Sequence, residues 1–108
     1  MAITATQKSP LAVGNVATGR YLTDATAAAI VITLGFTPRY VRVVNVTSLD
    51  AEEWFEGMAA ASAVKAVAAG TTTLITSNGI TVSGNIFTIG LDTDVNVINE
   101  QISWLAIA

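Results

Sequence analysis

From residue 35 to the end of the chain, short runs rich in β-branched and aromatic residues alternate with Gly, Asn, Asp and Pro. They are residues 35–48 (GFTPRYVRVVNVTS), 52–58 (EEWFEGM), 77–90 (SNGITVSGNIFTIG) and 95–108 (VNVINEQISWLAIA). This punctuation constrains the fold more than any other feature, because strands this short cannot bury a face alone and must join a larger sheet. About seven to nine of them predict an all-β fold, a β-sandwich or a jelly-roll-like barrel, in a single domain spanning residues 1–108.

The clearest strand covers residues 39–46. Arg39, Val41, Val43 and Asn45 share one face, and Tyr40, Arg42, Val44 and Val46 the other. Around residues 52–56 the alternation is less clean, but Trp54 and Phe55 fall on opposite faces, and one of them is expected to anchor the core. Residues 58–69 read two ways. The alanines favour a short helix between Gly57 and Gly70, whereas Val64-Lys65-Ala66-Val67 favours a loop and a short strand. Ser77-Asn78-Gly79 predicts a hairpin turn, since Asn and Gly accept positive φ, and Gly84-Asn85 predicts a second turn before a strand over 86–89. Residues 95–98 are expected to pair with 101–107 across an Asn99-Glu100 turn. In that last strand Ile102, Trp104 and Ala106 share one face, and Ser103, Leu105 and Ile107 the other.

The first third is less legible. Residues 1–10 close on Ser9-Pro10 and read as an extended arm, able to order against a neighbouring subunit or to fray as a terminus. Between Leu11 and Leu34 two strands fit best, with a turn near Thr23-Asp24-Ala25 and the β-branched cluster Ile30–Thr33 ending at Gly35.

Composition narrows the function. Charged residues make up 12% of the chain, about half the usual share, while apolar residues make up 52%. A surface so poor in charge points to partner chains covering part of it. Net charge is −3, and Lys8, Arg20, Arg39, Arg42 and Lys65 are scattered, which argues against a nucleic-acid partner. No apolar run approaches the ~20 residues of a membrane span, and the N-terminus lacks a signal-peptide pattern, so no membrane partner and synthesis in the cytoplasm are expected. The chain has no cysteine, which excludes disulfides and thiolate chemistry. It has no histidine either, which removes the commonest general base and most transition-metal sites.

Catalysis would have to run on carboxylates. Glu52, Glu53 and Glu56 are the densest group. On a strand, Glu52 and Glu56 would share a face about 13 Å apart at ~3.3 Å per residue, too far for a glycosidase pair, so a solvated strand or loop is expected. Asp92-Thr93-Asp94 with Asn96 has part of a calcium-loop spacing but lacks the sixth-position glycine and the twelfth-position glutamate; it reads as an Asx-rich turn. The glycines form no phosphate- or dinucleotide-binding pattern. No enzyme activity, cofactor or metal is expected.

The series GFTPRYVRVVNVTS, EEWFEGM, SNGITVSGNIFTIG and the tryptophan of ISWLAIA resembles small structural proteins of tailed bacteriophages, of the capsid decoration or cement type, over about residues 35–108. The resemblance implies a homo-oligomer, dimer or trimer, on the outer capsid surface of the virion, clamping neighbouring copies of the major capsid protein. Tyr21, Tyr40, Trp54 and Phe55 are the candidate interface residues, because rigid aromatics dominate interface energetics. The alternative is a receptor- or carbohydrate-binding β-module of a phage tail or head fibre, which the C-terminal runs also resemble. Exposed Trp54 or Tyr40 beside Asn and Asp would favour the fibre; burial of both together with a contact surface facing another protein would favour cement.

Overall fold

The structure is a computed structural model that describes residues 15–22 and 26–108. Eight strands follow in chain order: β1 (Val16–Leu22), β2 (Ile30–Thr33), β3 (Tyr40–Asn45), β4 (Asp50–Phe55), β5 (Ser62–Ala66), β6 (Thr72–Ser83), β7 (Ile86–Ile89) and β8 (Gln101–Ile107). They form one antiparallel sheet in the order β1-β8-β3-β4-β5-β6-β7-β2, curled into a half-barrel. The fold is therefore all-β and barrel-like, as the strand spacing requires. No helix occurs among the described residues, and the stretch over 58–69 resolves as a loop leading into β5.

Period-two alternation decides which side chains enter the concavity. On β3, Val41, Val43 and Asn45 are buried, and Tyr40, Arg42 and Val44 point outward. Pairing with β4 and β8 spreads this division sideways. Val41 lies opposite Trp54 and Ala106, Val43 opposite Glu52 and Trp104, and Asn45 opposite Asp50 and Ile102. Ile80, Phe87 and Ile89 from β6 and β7 complete the inner face, with Leu34 and Val95 packed on it. Each such side chain contributes roughly 1.5–3 kcal/mol when fully buried. The Phe87 and Trp104 rings meet edge to face with centroids 5.3 Å apart. Their strands lie near opposite edges of the sheet, so this contact spans the concave side and holds the curl.

Trp104 needs a gap in β1. It lies opposite Gly19, and a Cβ on Gly19 would fall 2.5 Å from the indole Cζ2. Glycine in a strand costs backbone entropy, but here it opens a seat for the largest ring in the core.

The structure corrects two expected pairings. Ser77-Asn78-Gly79 makes no hairpin turn, because β6 runs unbroken from residue 72 to 83. The positive φ of Asn78 (59°) is spent on a bulge instead. The β5 partner shifts from Ala63↔Ile75 to Ser62↔Ile80 and leaves residues 76–79 without ladder partners on β5. Gly79 there runs against Ser62, where a Cβ would sit 2.7 Å from the backbone carbonyl carbon; its N–H donates to the Ala61 carbonyl at 3.0 Å and its own carbonyl accepts from Gly90 at 2.9 Å. Asn78 alone takes the positive φ expected of the turn, and its use as a bulge depends on β5, which is distant in sequence.

Residues 95–98 likewise form no strand and do not pair with β8, whose neighbours are β1 and β3. Val95 is buried as a core plug, and Asn96 is consumed by side-chain hydrogen bonds. The Gly84-Asn85 turn stands as expected, closing β6 onto β7 with Gly84 at φ 59°. β1 and β2 exist but occupy opposite edges of the sheet. The expected arm over 1–10 and the turn at 23–25 lie outside the described residues.

Replacing Gly19 with alanine is expected to destabilise the fold by roughly 1–3 kcal/mol, because the Trp104 ring must shift. Thr18→Ala, on the exposed face of the same strand, should stay within about 0.5 kcal/mol. Urea unfolding midpoints of the two variants check this.

Candidate functional site

The half-barrel has a concave side to close, and residues 91–100 close it through polar anchors. Asp92 starts an Asx turn, its Oδ1 accepting from the N–H groups of Asp94 (2.9 Å) and Val95 (3.1 Å). Its Oδ2 meets Lys65 Nζ at 2.9 Å, and the same ammonium reaches Asp94 Oδ2 at 2.7 Å. Asn45 Nδ2 donates to the Asp94 carbonyl (3.1 Å) and to Glu100 Oε1 (2.7 Å), while its Oδ1 caps the N–H groups of Thr47 and Ser48. Asn96 Nδ2 donates to the carbonyls of Ala28 and Gly90, and its Oδ1 accepts from the Tyr21 hydroxyl at 3.5 Å. One asparagine thus ties the β1 edge, the approach to β2 and the end of β7 together. The calcium-like spacing at residues 92–96 is an Asx turn neutralised by a lysine, and no carboxylate group arranged to hold a metal ion occurs among the described residues.

Glu52 stands inside this cluster. It is fully buried, and neither carboxyl oxygen has a hydrogen-bond partner. The expectation of a solvated carboxylate is overturned. β4 places Asp50, Glu52 and Trp54 on the inner face together, and Glu52 lies directly opposite Lys65 on β5. Glu56, expected on the same strand face, lies beyond the end of β4, exposed and 3.5 Å from Arg39. Burial pushes the Glu52 carboxyl up to about 8; the Asp92 charge adds to the rise and Lys65 opposes it. The Tyr21 phenol is also raised, by burial first and then by the Glu52 charge, whereas the two aspartates hold the Lys65 ammonium above its ordinary range despite partial burial. A neutral carboxyl, an ammonium and the Asp92 carboxylate therefore share one region of low solvent access, with Asp94 half-exposed at its rim, a setting in which proton transfer becomes controllable.

The four candidate interface residues separate. Trp54 is buried, with its indole N–H lacking an acceptor, and Tyr21 is half-buried on the inner face. Tyr40 and Phe55 face outward as a cross-strand pair, ring centroids 5.2 Å apart and tilted by 56°. The Tyr40 hydroxyl donates to Glu53, and burial, followed by that hydrogen bond, pushes the phenol up to about 12. Register extends the pair into a row, since Tyr40 lies opposite Ile107, which lies opposite Val16. Val16 and Phe55, 61% and 49% exposed, end this outward apolar row across four strands. Elsewhere an open apolar groove of about 340 Å³ lies between Ala27 and the residues Leu91, Thr93, Asn96, Val97 and Ile98.

No protein-family model matches the chain, and comparison with curated proteins and with solved structures finds no match. The sites rest on the geometry alone.

Sequence reasoning missed Glu52 and Lys65, although one signal was present. Once Trp54 is assigned to the core, strand periodicity places the residue two positions earlier beside it.

Glu52 links stability to pH in a definite direction. An unfolded chain releases this proton near 4.5, whereas the folded protein holds it to about 8. Its contribution is complete below the lower value and is lost as pH rises to the upper one, by several kcal/mol at roughly 1.4 kcal/mol per unit. Urea unfolding of the wild type should show this fall between about pH 5 and pH 8, and Glu52→Gln should remove most of it. Equal pH slopes in both proteins would contradict the assignment.

Proposed function

We propose that this protein is a virion structural subunit of the capsid decoration type, a homo-oligomer that binds the outer face of a phage head and bridges copies of the major capsid protein. The observation that carries the reading is the outward row Val16, Ile107, Tyr40 and Phe55, a rigid apolar strip on the convex side of a closed core. Its two aromatics, at the β3–β4 end, are already packed on each other, so little side-chain entropy is lost when a partner covers them. Arg42 and Glu53 in the next cross-strand row supply a polar margin to the strip. A low-charge surface suits a subunit that works by occupying a junction between others. Such a subunit stabilises the shell by mass action, because it favours the assembled lattice over separated subunits.

The fibre reading requires an aromatic free to stack on a sugar. Trp54 is buried and unsuited to that role, whereas Tyr40 and Phe55 face outward and suit either reading, so the choice between cement and fibre falls to the binding experiment.

Cosedimentation with decoration-free expanded heads tests the proposal. Saturable binding that raises the heat resistance of the heads is expected. Phe55→Glu should weaken binding by about 30-fold, the ~2 kcal/mol of an interface hot spot, without moving the unfolding midpoint appreciably. A folded protein that binds glycans and no heads would transfer the reading to a fibre module.

A further inference from the structure

We propose that Lys65 and Asp92 form an intramolecular amide, an isopeptide cross-link made autocatalytically with Glu52 as the proton carrier. The nucleophile, the electrophile and the donors for its oxyanion are in contact, and a buried carboxyl lies beside them. The nucleophile, Lys65 Nζ, sits 2.9 Å from Asp92 Oδ2, close enough for direct proton transfer and for approach to Cγ. The other carboxyl oxygen, Oδ1, accepts two backbone N–H bonds, from Asp94 and Val95. Paired N–H donors aimed at one oxygen are the arrangement that stabilises the oxyanion of a tetrahedral acyl intermediate. The third part is Glu52, directly across the β4–β5 ladder from Lys65, fully buried, with no hydrogen-bond partner on either oxygen. A buried unpartnered carboxyl costs several kcal/mol even when neutral, and no hydrogen bond offsets that cost here. It is explained if its two oxygens relay a proton.

The chemistry balances without any co-reactant. Lys65 passes one proton to Asp92 Oδ2 along the ion pair, giving an amine and a carboxylic acid. The amine lone pair attacks Cγ, and the electron pair of the Cγ–Oδ1 double bond moves onto Oδ1, where the two N–H groups receive it. Once the Glu52 side chain turns onto the pair, which it does not touch in the resting structure, the new ammonium gives a proton to one of its oxygens and the other oxygen gives its own to Oδ2. The Cγ–Oδ2 bond breaks, one water leaves, Oδ1 returns to a carbonyl, and Glu52 ends as it began. The attacking form of Lys65 is scarce, because Asp92 and Asp94 both favour the ammonium, so formation is slow. The step drains that form because the amide does not reopen once the water has escaped. The bond joins β5 covalently to the segment that closes the half-barrel, and it is independent of what the outer row binds.

Intact-mass spectrometry of the denatured full-length protein, followed by peptide mapping, tests this. The wild type is expected at the sequence mass less one water, with a branched peptide joined through Lys65 and Asp92. Lys65→Arg keeps the cation but not the nucleophile, and Glu52→Gln keeps the buried shape but not the proton relay; both should fold and retain the full mass. A wild-type protein that unfolds cooperatively yet shows the full mass after prolonged incubation overturns the proposal. Water loss that persists in Lys65→Arg also overturns it, since that would mark cyclisation of an aspartate onto its own backbone. An undiminished cross-link in Glu52→Gln removes Glu52 from the mechanism.

Discussion

The lysine held between two aspartates at the mouth of the half-barrel is the interaction on which the rest of the structure depends. An eight-stranded sheet curled only halfway around leaves its apolar concavity open between β1 and β2. Val95 fills part of that opening, but a single aliphatic side chain cannot hold ten residues of irregular backbone in place. Lys65 and Asn45 do so by pairing with the Asp92 and Asp94 carboxylates and the Asp94 carbonyl, and Asn96 does so by donating to the carbonyls of Ala28 and Gly90. Most partners in this network are backbone atoms, which fixes the path of the segment as well as its position.

Glu52 is the one buried carboxyl of this interior that makes no hydrogen bond, a lack it shares with the indole N–H of Trp54. Keeping it neutral is cheaper than ionising it beside Asp92, which explains how a carboxyl survives in an apolar concavity at neutral pH. The cost is a fold that weakens as pH rises. The same features, a protonated carboxyl, a lysine and an aspartate with one oxygen already in N–H bonds, are what amide formation requires. Structural and reactive accounts of this cluster therefore start from the same geometry. The convex side carries a different kind of chemistry, since its row of apolar side chains has only contact to offer.

Strand identity was legible wherever alternation was strict. The two faces of β3, the split of Trp54 and Phe55, the Gly84-Asn85 turn and the inner face of β8 all follow from period two. Partner choice was not legible, because it depends on residues far apart in the chain. Asn78-Gly79 carries the local signature of a hairpin, but β5 takes β6 on both sides of that dipeptide and converts the turn into a bulge. Residues 95–98 have strand propensity, yet the Asn96 side chain finds three hydrogen-bond partners, on β1, before β2 and after β7, and these outweigh a ladder. The site was half visible. Asp92-Thr93-Asp94 reads as an Asx turn from sequence, whereas its cation comes from a strand 27 residues earlier in the chain.

The central claim is that residues 91–100 belong to the core in energy as well as in space. Native-state hydrogen exchange at the amides of Asp94, Val95 and Asn96 tests it most directly. Protection equal to that of β3 and β8 amides, lost only on global unfolding, is the result this account predicts. Exchange of these three amides by fast local opening, with β3 and β8 still protected, would contradict it and reduce the segment to a surface loop.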